Sequence, residues 1–407
     1  MTSPAETSSP SGGSERLVSL RFVLVTASTF AYFTALGIML PTLPRYVEDE
    51  LSGGGTAVGV VVGAFAVSAA LLRPWVGRLG DRHGRRILVV GGSAVVAVSV
   101  AGYALTTNLA VLVALRLLTG VGEAAMWVGA ATAVQDMAPA DRRGEAASYF
   151  SVALYAGIAL GPALGEIVLQ RSGFDAVWFV AAGSAALATV FGLWTPVGTR
   201  SEPKRGPLLH RAALGPGFVL FLGLLPFVGF SSFIALYGDE VGLDDIGPVF
   251  FAYAGLVLVI RIVGARLPDR LGWHRASTAA LTALVAGGLV LGLWHAAAGV
   301  WVATVALAVG MSLLFPALFS LAVTRAPEEE RSQAVGTFSV FFDLASGVGA
   351  PLLGIVVTLS SEQGAFLVSG LVAAIGFYAI SRLAAGAGAH DAVGEHVVLP
   401  PDEPAAG

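Results

Sequence analysis

Arg73-Pro-Trp-Val-Gly77-Arg78-Leu79-Gly80-Asp81-Arg82-His83-Gly84-Arg85-Arg86 decides how this chain is read, because it is written twice. An offset of 188 residues brings the sequence to Arg261-Ile-Val-Gly-Ala-Arg266-Leu267-Pro-Asp269-Arg270-Leu-Gly272. Arg73, Arg78, Leu79, Asp81, Arg82 and Gly84 thus meet Arg261, Arg266, Leu267, Asp269, Arg270 and Gly272. The same offset sets Ala138, Pro139, Arg143 and Ala146 on Ala326, Pro327, Arg331 and Ala334. It then sets Phe150-Ser151-Val152 on Phe338-Ser339-Val340 and Gly161 on Gly349. A register held through two polar segments and into an apolar one marks an internal duplication.

Between the polar segments the chain is lipid-like. Of 407 residues, 56% are hydrophobic and only 12% charged, with a mean hydropathy of +0.79. A soluble domain carries about 25% charged residues, and a bilayer-crossing helix needs about 20 mostly apolar ones. Twelve runs meet that requirement, near 20–43, 56–76, 87–106, 109–135, 146–169, 175–195, 216–238, 247–266, 276–295, 299–324, 334–358 and 364–383. The expected fold class is an all-α membrane protein: twelve transmembrane helices in two pseudo-symmetric six-helix bundles, related by an axis along the membrane normal.

The expected domains are a disordered tail over 1–15, a six-helix half over 16–195, a linker over 196–215, a second half over 216–384 and a disordered tail over 385–407. The first apolar run is too long for a signal peptide. Of 23 basic residues, twenty fall on the side that holds both termini, and only Arg45 and Arg171 on the other. That bias places both termini in the cytoplasm, and the composition suits a bacterial cytoplasmic membrane. A net charge of −4 with Lys204 as the lone lysine argues against a nucleic-acid partner, and the absence of cysteine excludes disulfides and thiolate chemistry. No metal-ligand spacing, nucleophile–base pair or phosphate loop points to an enzyme or to a bound cofactor.

The segment Gly77 to Arg86 resembles the cytoplasmic signature of the major facilitator superfamily, and the resemblance covers nearly the whole chain. It implies the twelve-span fold, a monomer, and a conformational latch formed by Gly77, Asp81, Arg82, Gly84, Arg85 and Arg86, with Asp269 and Arg270 in the equivalent loop. Physically, Gly77 and Gly84 permit tight turns and close approach. Asp81 suits the N-terminus of the next helix. The arginines can hold the loop inside or pair with acids on the facing half. A topology anchor is the plainer reading of the same residues.

Gly157, Gly161, Pro162 and Gly165 form a second motif, similar to one found in proton-coupled antiporters of the family, especially twelve-span drug exporters. Glu166 replaces the usual closing glycine. Glycines four apart make a smooth helix stripe, and a packing seam is the alternative.

Ionisable residues inside a span are costly and are functional hypotheses by default. Arg116 and Glu123 lie seven residues apart, on one helix face about 10 Å apart along the axis, so both can reach a cavity. Arg116 with Gly120 resembles a helix 4 motif linked to proton transfer, while the glutamate resembles lysolipid and organic-anion branches. A carboxylate between a fixed cation and a low dielectric can load and release a proton as access changes. A structural ion pair is the alternative. Asp343, whose repeat mate is Tyr155, is a second candidate carboxylate, and Glu166 a third, near a helix end. Arg73 and Arg261 are explained by snorkelling. Tyr32, Trp127, Tyr155, Phe230, Phe233, Phe315 and Phe319 are candidate cavity aromatics.

These readings lead to a proton-coupled exporter of a small, partly apolar organic molecule, driven by the proton gradient and using no cofactor. An organic-anion or lysolipid carrier using Arg116, and a non-transporting membrane receptor, are the alternatives.

Overall fold

The computed structural model describes residues 18–139, 142–197, 209–243, 245–264, 267–327 and 331–394. Among them the chain forms eleven α-helices: α1 Leu20–Asp49, α2 Gly55–His83, α3 Arg85–Ala101, α4 Leu109–Asp136, α5 Arg143–Gly192, α6 Arg211–Glu240, α7 Gly247–Val263, α8 Leu267–Leu293, α9 Ala297–Thr324, α10 Arg331–Leu359 and α11 Glu362–Gly394. Ten contain a stretch long and apolar enough to cross a membrane, and α7 is a shorter apolar helix of 17 residues. The runs expected at 146–169 and 175–195 lie on the single element α5, which breaks at Gly173 with a non-helical φ of 75°. The expected tail over 1–15 and residues 198–208 of the expected linker lie outside the described residues, whereas α6 already begins at Arg211 and α11 runs on to Gly394.

Local chemistry sets the ends. Ser19 Oγ accepts the Phe22 N–H at 3.2 Å to open α1, and Asn108 Oδ1 accepts the Ala110 and Val111 N–H groups to open α4. Pro41 and Pro44 do not stop α1, which runs on to Asp49 and carries Arg45 within it. The expected boundary near residue 43 is therefore wrong. Arg45 is a buried helical residue, not a loop residue.

The helix contacts follow the 188-residue register. α1 lies along α5 as α6 lies along α10; α2 packs on α4 as α7 packs on α9; α3 packs on α4 as α8 packs on α9. The two seams α2–α10 and α5–α7 are also equivalents of one another. Glycines allow these approaches. A Cβ at Gly59 would lie 2.3 Å from the Ala350 carbonyl oxygen, and one at Gly63 2.8 Å from Pro351 Cδ, so α2 meets α10 backbone to backbone. The stripe of Gly157, Gly161 and Gly165 instead faces α1, where a Cβ at Gly161 would lie 2.6 Å from Gly37 Cα. Pro162 stands within α5, its Cδ 3.2 Å from where a Cβ on Gly37 would be.

Candidate functional site

Three charged side chains from three helices meet below the α2–α10 glycine contact. Arg73 on α2 places Nη2 3.2 Å from Glu123 Oε1 on α4 and Nε 2.9 Å from Asp343 Oδ2 on α10. The side chains are 12%, 9% and 6% exposed, respectively. The two contacts differ in kind. Arg73 Nη2 donates to both Glu123 oxygens, at 3.2 and 3.4 Å. The Arg73–Asp343 pair is close but misaligned, so that Arg73 Nε and Asp343 Oδ2 are both buried without a hydrogen bond. With one guanidinium and two carboxylates, the fully ionised cluster carries one excess negative charge in a region that solvates charge poorly.

The candidate aromatics fall into several ring groups, of which the one around Trp127 touches the charges. The Arg73 guanidinium lies 5.8 Å from the centre of the Trp127 ring, and Trp127 contacts Phe33 and Phe150 edge-on. Tyr32 stands against Phe33, fully buried, and its hydroxyl has no hydrogen-bond partner. Phe315 and Phe319 stack on each other and meet Phe338, and Phe315 also meets Phe342, beside Asp343. Phe230 packs on Phe250 and Tyr253, and Phe233 is fully buried. Tyr155 lies under Arg261, whose guanidinium carbon is 4.6 Å from the ring centre.

Arg116 and Glu123 do not face one another. Arg116 Nε donates to the Val61 carbonyl at 3.0 Å and Nη2 to the Val62 carbonyl at 3.3 Å, while its cation lies 4.5 Å from the centre of the Phe65 ring. It clamps α4 to α2, and Glu123 takes Arg73 instead. Snorkelling is likewise the wrong account of Arg73. It stands ten positions before the end of α2, about 15 Å along the axis, and turns to its acids rather than to the helix end.

Glu166 belongs to a second charged cluster, at the C-terminal end of α1. Arg45 Nη1 lies 3.0 and 3.1 Å from the two Glu166 oxygens, and Arg45 Nη2 lies 3.1 Å from Asp239 Oδ1 on α6. Gln170 Nε2 donates to Glu166 as well. The Glu166 side chain is 3% exposed and that of Asp239 59%, so Glu166 is the enclosed member of this cluster.

The segment carrying the sequence signature is held within its own neighbourhood. Asp81 lies in the last turn of α2, and Gly84, not Asp81, occupies the N-cap position of α3. Gly84 has φ +94°, and a Cβ there would lie 2.4 Å from the Val197 carbonyl oxygen. Gly77 has open space around it, with no described atom within 4 Å of a Cβ. Arg85 Nε lies 3.3 Å from Asp136 at the end of α4, and Arg86 Nε donates to the Thr195 carbonyl at 2.7 Å. Asp136 and Thr195 belong to the same half of the sequence as the segment itself. Arg82 is exposed. The side chains of Asp81, Asp269 and Arg270 lie outside the described residues.

Comparison with known proteins decides the family. The sequence model of the Major Facilitator Superfamily matches residues 25–327 and again 288–396. The chain belongs to the major facilitator superfamily. It is a multi-pass membrane transporter of that family. An uncharacterized MFS-type transporter of Salmonella typhimurium is 29% identical over 375 residues, covering 88% of this chain and 95% of the relative. The uncharacterized MFS-type transporter YhhS of Escherichia coli strain K12 is 29% identical over 378 residues, covering 88% of this chain and 91% of YhhS. Among solved structures, a bacterial homolog of the human lysosomal transporter Spinster, inward-facing and unoccupied, superposes with TM-score 0.72 at 14% identity, over 90% of this chain and 97% of its own. A POT family transporter in complex with a thioalcohol-conjugated peptide gives TM-score 0.76 at 14% identity, over 90% and 96%. These structures share the fold.

Proposed function

We propose that this transporter is a proton-coupled exporter of a small, partly apolar organic molecule, working by alternating access between two six-helix halves. In this reading α5 supplies two spans on either side of Gly173, which brings the total to twelve. Both termini lie in the cytoplasm, and the membrane is the bacterial cytoplasmic one.

The observation that carries the reading is the buried cluster in which Glu123 and Asp343 share Arg73. Glu123 and Arg73 belong to the first half and Asp343 to the second, so the Arg73–Asp343 contact is a link between halves. A proton on Asp343 removes the excess charge and reduces that link to a poorly aligned neutral contact, while Arg73 stays bonded to Glu123. The α2–α10 seam is then free to part. Loss of the proton restores the link. Such a group gates one seam according to its proton load, which is what coupling requires. The Trp127 ring beside the cluster suits a solute with an apolar body. A solute that competes with the proton for this region moves opposite to it. The antiporter-like stripe at Gly157, Gly161, Pro162 and Gly165 favours export.

The test begins with a ligand screen by thermal shift at two pH values, followed by pH-gradient-driven transport of the best ligand in proteoliposomes. Asp343→Asn and Glu123→Gln, singly and together, are expected to abolish gradient-driven transport while leaving downhill exchange. Full gradient-driven transport by the double variant would sink the mechanism.

A further inference from the structure

The 188-residue register pairs Arg73 with Arg261 and Asp343 with Tyr155. The structure builds the same seam around each pair. At α2–α10, a Cβ on Gly59 would lie 3.0 Å from Pro351 Cα; at α5–α7, a Cβ on the equivalent Gly247 would lie 3.3 Å from the equivalent Ala163 Cα. Within the first seam Arg73 reaches Asp343; within the second Arg261 lies over Tyr155. The second acid is missing too, because the position equivalent to Glu123 is Met311.

Arg261 is therefore a cation whose seam has lost both carboxylates. Arg261 stands in the last turn of α7, whereas the arginines packed among the other helices have acceptors: Arg45 has Glu166 and Asp239, Arg73 has Glu123 and Asp343, and Arg116 has two carbonyls. Among the described residues Arg261 has no carboxylate within ion-pair distance. It lies over the Tyr155 ring, and its Nε is buried with no acceptor. A buried N–H left without a partner costs about 1–3 kcal/mol. The residue as a whole is partly exposed.

We infer that Arg261, backed by Tyr155 and Tyr253, recognises the carboxylate of a transported organic anion that has a flat apolar body. Tyr155 lies 4.6 Å from the guanidinium carbon, and two parallel N–H groups of a guanidinium match a carboxylate. Tyr253 stacks on Phe227 at 5.1 Å and meets Phe230 at 5.7 Å, which extends an aromatic wall for the body of the solute. The carboxylate of the solute supplies at the α5–α7 seam what Asp343 supplies at α2–α10. One seam is closed by a protein acid and the other by the cargo. This assignment rests on the transporter reading and names its substrate class, but equilibrium binding needs no proton gradient.

The test uses the full-length protein in detergent, with benzoate, salicylate and 1-naphthoate as probes and 1-naphthamide as the neutral isostere of the last. Melting shifts and tryptophan fluorescence report binding. At least one carboxylate is expected to bind and the amide not to bind. Arg261→Gln should weaken that binding by about tenfold or more, and Arg261→Lys should weaken it too, because lysine lacks the fork. Tyr155→Asp grafts the missing acid and should lose carboxylate binding because Arg261 is then occupied, with melting curves of each variant showing that it is folded under the binding conditions. The inference is overturned if no carboxylate binds. It is also overturned if Arg261→Gln and Tyr155→Asp bind as the natural protein does, or if Arg116→Gln alone abolishes binding. Binding at Arg261 without gradient-driven transport would instead remove the proton-coupled reading and leave this one standing.

Discussion

In an Arg73→Gln variant, Glu123 and Asp343 would face each other across a buried space with no cation between them. Their side chains are only 9% and 6% exposed, so water screens them little. Removing one partner of a buried charge pair costs about 3–5 kcal/mol, because the remaining charge is left uncompensated. Here two carboxylates are stranded, so the upper part of that range is expected at about pH 8. Protonation relieves both, and the unfolded chain gains no such relief, so the variant recovers stability as pH falls. Asp343→Asn behaves differently. It leaves Arg73 and Glu123 as a one-to-one pair and gives up only a misaligned contact, a loss of about 1 kcal/mol. Glu123→Gln leaves the equally balanced pair of Arg73 and Asp343. The double variant Glu123→Gln/Asp343→Asn strands Arg73 and should again lose several kcal/mol. Melting of the purified variants at about pH 5.5 and about pH 8, followed by tryptophan fluorescence, gives the ranking. Single acid neutralisations as damaging as Arg73→Gln, or an Arg73→Gln loss independent of pH, would refute the charge count.

Three further outcomes follow from the same geometry. Arg45→Gln should cost about 3–5 kcal/mol because it strands Glu166, whereas Asp239→Asn, on a side chain 59% exposed, should cost under about 1 kcal/mol; melting curves separate the two. Gly161→Ala should destabilise by about 1–3 kcal/mol, since its Cβ would meet the Gly37 backbone at 2.6 Å. Gly183→Ala, with open space around it, should be neutral or gain up to about 1 kcal/mol in the same assay. Arg116→Lys should lower the melting point, because a point charge cannot hold the Val61 and Val62 carbonyls together as the guanidinium does.

The helical class and the duplicated register were legible in the residues, because hydropathy and an offset that preserves Arg-Leu-x-Asp-Arg survive without any knowledge of packing. Asp343 and Glu123 were legible as costly charges, but their partner was not. Arg73 lies 270 positions before Asp343, and only the α2–α10 contact joins them. The signal that bore on it was the spacing of Gly55, Gly59 and Gly63, a small-residue stripe that marks α2 as a close-packing helix. Arg116 misled because helical spacing places it on the face of Glu123 but does not say which carbonyls of a neighbouring helix lie nearer. Arg45 misled because the apolar run ends near residue 43, while the helix, with Pro41 and Pro44 inside it, runs on to Asp49.

The proposed coupling requires one exchangeable proton on the Glu123–Arg73–Asp343 cluster. Infrared difference spectroscopy of the protein in lipid, between about pH 5.5 and about pH 8.5, reads the C=O stretch of protonated carboxylic acids directly and needs no substrate. The natural protein should show a pH-dependent carboxylic acid band that disappears in Glu123→Gln/Asp343→Asn and shifts or narrows in one of the single variants. An unchanged band in the double variant would place the proton elsewhere and contradict the account.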